Sequence, residues 1–207
     1  MDTLVAHSSR GPSGASRWRR CPGSVNAEKG LPDKAGREAA EGTLFHEFAA
    51  LCVEFGFQPE DFGSGTVYAV DGHRIEFDEE MARSMHDGLD LINEIVEPGD
   101  TVLVEQRVDI SAWCGPGQVG TCDVAIFKRD HIFIFDWKYG KGIPVSPVKN
   151  DQIYLYCLGV WNDHGKAMFK NVDPNEIKVT FIIEQPRAPG GGGAWDTTMA
   201  DVLPKAV

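Results

Sequence analysis

No apolar stretch in the 207 residues approaches the roughly 20 needed to cross a bilayer. The opening MDTLVAHSSRGPSG also lacks the apolar run of a secretory signal, so a cytoplasmic protein with no membrane partner is expected. The five cysteines, at positions 21, 52, 114, 122 and 157, are odd in number and widely spaced. That pattern argues against a secreted disulfide scaffold and against a zinc knuckle, and it leaves reduced thiols. The chain has no internal repeat and no heptad. The four glycines at 190–193 lack the strand-turn-helix setting and the following Gly-Lys-Ser/Thr of a phosphate cradle, so a plain loop is expected there.

Positive charge is also scarce, with 20 Lys and Arg against 31 Asp and Glu and a net charge of -11. Taken whole, this counts against a nucleic-acid partner, because phosphate binding is driven by Lys and Arg. The distribution changes the inference. Residues 1–40 carry seven basic and four acidic side chains, residues 41–109 carry three and seventeen, and residues 110–207 carry ten of each. Within 128–149, Lys128, Arg129, Lys138, Lys141 and Lys149 face only Asp130 and Asp136. A local basic surface is therefore compatible with the acidic total. The acidic middle reads as a solvated helix face, with a protein-docking or nucleic-acid-mimicking face as the alternative.

What is present is a regular alternation of elements over enough apolar residues, 42%, to build a core. Gly, Ser, Pro and Arg dominate the first 37 residues, which read as loop and short helix: an N-terminal arm over residues 1–40, ahead of one domain over 41–207. Leu44, Phe45, Phe48, Ala49, Leu51, Cys52 and Phe55 recur near the helical period and predict a helix over 43–55 that ends at Gly56. Asp71-Gly72 between two short alternating runs predicts a hairpin, and Met81, Met85, Leu89, Ile92 and Val96 mark the next helix. TVLVEQRVDI, VGTCDVAIF and HIFIFDWK predict three strands, SPVKNDQIYLYCLGVW a helix, and IKVTFIIEQ a further strand.

The polar anomaly lies in the second and third of those strands, where Asp123 and Asp136 interrupt apolar runs. A buried carboxylate needs a partner, because desolvating an unpaired charge is costly. If Arg129 and Asp130 are the central residues of a tight turn, paired positions sum to 259 and Asp123 lies across from Asp136, about 5 Å apart at Cβ. The period of two then puts Asp136 and Lys138 on one face. Two close carboxylates beside an ammonium suit Mg2+ or Mn2+ and phosphodiester hydrolysis. The alternative is an Asp123–Lys138 ion pair at the sheet rim, with Asp136 capping a turn.

The set Gly120-Thr121-Cys122-Asp123, Asp136-Trp137-Lys138, Gln152 and Tyr156, with Gly42-Thr43-Leu44-Phe45-His46 upstream, resembles the RecB-like branch of the PD-(D/E)XK nuclease superfamily over residues 41–185. The resemblance implies a restriction-endonuclease-like α/β/α core with a central mixed sheet flanked by helices. It implies Asp123, Asp136 and Lys138 as the catalytic set. His46, Asp123, Asp136 and the backbone carbonyl of Trp137 would hold Mg2+ or Mn2+, and Lys138 would position or activate the attacking water. Gln152 and Tyr156 would support the site and contact nucleic acid, with Lys141 and Lys149 on the DNA backbone. Glu105 is either a supporting acid, a ligand to another ion, or a strand-edge partner of Arg107. A lone histidine such as His46 is otherwise a packing or capping residue.

SRWRRCPGS near the start looks like phage-associated and prophage-associated members. This implies an exonuclease in recombination or DNA processing, in a bacterial host or phage-infected cell. Its partners would be DNA, further copies of itself, or a recombination or single-strand-annealing protein. An inactive interaction module of the same fold is the alternative. Cys21 stands where some relatives place the first cysteine of an iron-sulfur cluster, but no cysteine follows Cys157 to complete one. Arg17, Arg19 and Arg20, interleaved with Trp18, either clamp phosphate and stack a base or pin the arm to the acidic middle.

Overall fold

The three strands and the helix after them position everything else in the computed structural model, which describes residues 8–31 and 36–205. Residues 1–7 and 32–35 of the expected arm lie outside the described residues. The arm contains a 3-10 turn, Pro12–Gly14, and two short helices, α1 (Ala15–Arg20) and α2 (Ser24–Glu28). The core follows as α3 (Arg37–Phe55), the hairpin β1 (Thr66–Val70) and β2 (His73–Phe77), and α4 (Glu79–Ile95). Next come β3 (Thr101–Asp109), a single turn α5 (Ser111–Cys114), β4 (Val119–Phe127), β5 (His131–Trp137) and α6 (Asp151–Val160). The chain closes with α7 (Lys166–Met168), β6 (Lys178–Glu184), β7 (Gly193–Thr198) and α8 (Met199–Val202).

β3 to β7 form one mixed sheet in chain order, antiparallel except for β5 and β6, which run parallel across the α6 crossover. Both faces are covered, which makes an α/β/α sandwich. On one face Leu44, Phe45 and Phe48 of α3 and Met81 and Met85 of α4 pack on Val124, Ile126, Phe135 and Trp137. On the other, Ile153, Tyr154, Cys157 and Leu158 of α6 pack on Ala125, Phe127, Ile132, Ile134 and Phe181, joined by Ala15 of the arm.

Local chemistry accounts for most boundaries. Asp78 caps α4 by accepting from the Met81 N–H at 2.8 Å, and Asn150 caps α6 by accepting from the N–H groups of Gln152 and Ile153 at 3.0 and 3.4 Å. Asp71 and Gly72 both adopt positive φ, 48° and 78°, the conformation a two-residue hairpin requires and glycine tolerates best. Three elements differ from expectation. The helix expected from Ser146 begins only at Asp151, because the Asn150 side chain caps it there and Val148 is left exposed ahead of it. α3 starts at Arg37 rather than at residue 43, because in its first six residues only Ala40 is buried and no apolar stripe marks them. β7 was not expected, since GAWDTT is a partly exposed edge strand without the β-branched alternation that identifies inner strands.

The β4–β5 register follows the expected sum of 259, from Val124↔Phe135 to Phe127↔Ile132, and the Lys128 N–H donates to the His131 carbonyl at 2.8 Å around Arg129 and Asp130. The ladder ends at Val124↔Phe135, one step short of Asp123 and Asp136. Between β3 and β4 the ladder breaks as well: Val104 pairs with Val124 and Gln106 with Cys122, while Glu105, at φ 44°, bridges to nothing. The strand faces exchange there. Leu103 and Val108, five apart, pack in the same α6-side cluster, as do Cys122 and Ala125, three apart, although odd separations on a regular strand face opposite ways.

Candidate metal centre

Asp123 stands at this crease. Freed from the ladder, its Oδ2 accepts from the backbone N–H of Trp137 at 2.7 Å, so the side chain replaces a missing backbone bond between β4 and β5. α3 passes above and brings His46 Nδ1 to 3.4 Å from Asp123 Oδ2 and 3.9 Å from Glu105 Oε1. One ligand atom from each of His46, Glu105 and Asp123 lies within 4.8 Å of the others. Asp136 stands outside that group. Its Oδ2 lies 2.6 Å from Lys138 Nζ, and its Oδ1 accepts from Gln152 Nε2 at 3.2 Å. Gln152 Nε2 also donates to the Tyr156 hydroxyl at 3.0 Å, which fixes the amide between helix and strand.

The electrostatics are those of a site with too much negative charge. Burial pushes Asp123 up to about 6, against the pull of Lys138 and the Trp137 N–H. Asp136 is likewise pushed up to about 6 by burial, with Lys138 opposing the shift and Asp123 adding to it. Burial pushes Glu105 up to about 7, and the charges of Asp123 and Glu47 add to this; its side chain is 43% exposed, so solvent tempers its shift more than theirs. Burial holds His46 below the usual histidine range despite the nearby Asp136 carboxylate, which favours the neutral ring with a free lone pair. Asp136 Oδ2 is buried, and the Lys138 ammonium is its polar contact among the described residues. Three carboxylates beside one ammonium and a neutral imidazole fit a divalent cation held by oxygen and nitrogen.

The sequence-derived residues are thus distributed unevenly. His46 and Asp123 meet, and Glu105, for which three roles stood open, completes their group rather than pairing with Arg107. Trp137 contributes its backbone N–H, while its ring packs on Phe45 and Phe135. The rim alternative departs from the geometry, since Lys138 contacts Asp136 and Asp136 caps no turn. Lys141 turns to Glu80 on α4, at 3.5 Å, and Lys149 lies in a cleft beside Gln152.

Two supporting residues were not foreseen. Buried Gln185 accepts from the Val145 N–H at 2.7 Å and donates to the Ile143 carbonyl at 3.2 Å, pinning the loop between Lys138 and α6. Arg187 lies over the Tyr139 ring at 4.2 Å and pairs with Glu41 at 3.2 Å and Glu80 at 3.5 Å, tying the end of β6 to α3 and α4. The available signal was a polar pair placed directly after the apolar strand that runs parallel to β5.

Fold and site together define an α/β/α protein with a His-Glu-Asp centre at a crease in its sheet, beside an Asp-x-Lys pair. The chain belongs to the DUF2800 family, described as a protein of unknown function, whose model matches residues 7–201. That match takes in the arm together with the core. Among the described residues no helix is long and apolar enough to cross a membrane.

Proposed function

We propose that this protein is a divalent-metal-dependent deoxyribonuclease of the RecB-like PD-(D/E)XK kind, acting as an exonuclease in phage recombination or DNA processing. The observation that carries the reading is the meeting of His46, Glu105 and Asp123 within 4.8 Å, next to an Asp136–Lys138 pair at 2.6 Å. His46, Glu105 and Asp123 would hold the cation, with Asp136 as the adjoining acid. Mg2+ or Mn2+ suits this hard donor set and would supply Lewis-acid polarisation of a phosphoryl oxygen.

The chain's own groups do the rest. Lys138 presents an ammonium where it can position the attacking water and offset the charge that develops on the phosphoryl oxygens. Gln152, braced by Tyr156, holds Asp136 in place, and the Trp137 N–H orients Asp123. Water oxygen adds to phosphorus and releases a proton to solvent, one P–O ester bond breaks, and the leaving oxygen takes up a proton from solvent.

The test is hydrolysis of end-labelled single-stranded and double-stranded DNA in Mg2+ or Mn2+, with Mn2+ binding followed by calorimetry. Cleavage that needs the metal and is lost in Lys138→Ala supports the reading. Metal binding without cleavage by the wild type would leave an inactive module of the same fold.

A further inference from the structure

The basic run of the arm is divided by the fold. Arg17 pairs with Glu28 at 2.9 Å, and Arg19 pairs with Asp151 at the start of α6. The indole N–H of Trp18 donates to the Gly11 carbonyl at 3.0 Å, and the ring packs partly buried against the α6-side core. Arg17 is therefore spent within the arm, and Trp18 and Arg19 on seating the arm against the core. Arg20, at the end of α1, makes no ion pair among the described residues and lines a cleft of about 400 Å3 between the arm and the loop that enters α6.

The same cleft takes Lys149, exposed and without an acidic partner among the described residues, whose φ of 54° is a conformation that a non-glycine residue seldom holds. Lys138 and Gln152 form its other wall, so it opens onto the Asp136 side of the metal centre. Ser13, Ser16 and Ser146 add hydroxyls. The one acid in the lining, Asp151, is already neutralised by Arg19. The N–H groups of Gln152 and Ile153 are taken by the Asn150 cap, so the donors on offer are side chains rather than the helix end. Two cations, one from the arm and one from the loop, and three hydroxyls lining one cleft are the donors that a tetrahedral oxyanion takes.

We propose that this cleft is a second phosphate subsite, in which Arg20 of the arm and Lys149 hold a phosphate of the nucleic-acid strand whose scissile phosphate is taken at the metal centre. The inference rests on reading that centre as a phosphodiesterase site. It makes the arm part of the substrate groove, and it gives the short approach of Pro12 to Gly120 a purpose: a Cβ on Gly120 would stand 2.5 Å from Pro12 Cγ, so the arm seats only because that position is bare.

The test uses the full chain with fluorescein-labelled 12-mer single strands carrying a 5′-phosphate, a 3′-phosphate or neither, followed by anisotropy in EDTA over a salt series. Arg20→Gln with Lys149→Asn, asparagine being tolerant of positive φ, is expected to weaken binding about tenfold. The log-log salt slope should shrink by about 0.7 for each phosphate–cation pair removed. Lys149→Asn alone should give a smaller loss in the same direction, Arg20→Lys should retain much of the affinity, and Lys29→Gln, on the arm but outside the cleft, should change nothing.

A loss confined to strands with a terminal phosphate identifies a phosphomonoester end as the ligand; an equal loss on all three identifies a bridging phosphodiester. Wild-type affinity and slope in the double variant, or an equal loss in Lys29→Gln, overturns the subsite. If the wild type cleaves no DNA yet binds through Arg20 and Lys149, the hydrolytic reading falls and the phosphate site stands. If it cleaves and the double variant binds and cleaves alike, the phosphate site falls and hydrolysis stands.

Discussion

The two ends of the β4–β5 pair carry similar charges and treat them in opposite ways. At the turn end, Lys128 lies 3.0 Å from Glu97 and 3.1 Å from Asp100 and donates to the Ile95 carbonyl at 2.6 Å, while Lys178 meets Asp130 at 3.5 Å. The Glu97 N–H and Lys128 hold the Asp100 carboxyl below its ordinary range. At the other end Asp123 and Asp136 are buried, and they and Glu105 are held above theirs. One end is neutralised by its own lysines. The other has a single contacting ammonium for its acids, and such an excess persists in a folded protein only if the neighbouring structure forces it or a cation offsets it.

Removing charge from the buried end should have the largest effect. Lys138→Ala or Asp136→Ala is expected to lower the cleavage rate by at least about 10²-fold, the scale of losing one group that stabilises transition-state charge. Near-native circular dichroism and melting would show that the loss is chemical. Cleavage within a few-fold of wild type would mean that the Asp136–Lys138 pair is structural.

Adding the cation proposed for the buried end is the second way to test the contrast. The unfolded pKa of these carboxyls is about 4 and their folded values lie near 6 to 7, so the folded metal-free chain binds more protons than the unfolded one in that window. Their stabilising contribution is full below pH 4 and is lost as pH rises through 6 to 7. His46, held low, works in the opposite sense, but three carboxyls outweigh it. The melting temperature in EDTA should therefore fall between pH 5 and pH 7.5. Mn2+ at about a hundred times its dissociation constant should add about 2.7 kcal/mol, roughly 5–10 °C for a chain of this size, and flatten the slope. Glu105→Gln should shrink both effects. A pH-independent melt unaffected by Mn2+ would overturn the proposal that this end binds a cation.

The arm supplies a third, smaller perturbation. Gly120→Ala drives a methyl into Pro12 and is expected to cost about 1–3 kcal/mol, with faster proteolysis of the arm ahead of α3. Smallest of all is the turn end: Lys128→Ala removes solvent-screened pairs and should cost about 1 kcal/mol or less, with Mn2+ binding unchanged. A loss of metal affinity there would show that the two ends are coupled and the contrast is false.

Much of this was legible in the chain. Arg129 and Asp130 set the hairpin register because a two-residue turn leaves only one pairing, and the Asp136-x-Lys138 spacing put carboxylate and ammonium together because two residues return to one face of a strand. Periodicity could not show where it would itself fail. The crease at Glu105 and Asp123 reverses the strand faces, withdraws Asp123 from the ladder and brings Glu105 to His46.

The amino-acid sequence by itself determined the hairpin, the four inner strands β3 to β6, the apolar stretches of α3, α4 and α6, the β4–β5 register and the acids that interrupt it, all through local turn chemistry and short-range periodicity. Tertiary packing alone decided which acids share the histidine and which arginine of the arm stays free. His46 and Glu105 are 59 residues apart and Arg19 and Asp151 are 132 apart, and over such separations partners are selected by how α3 and the arm seat on the sheet.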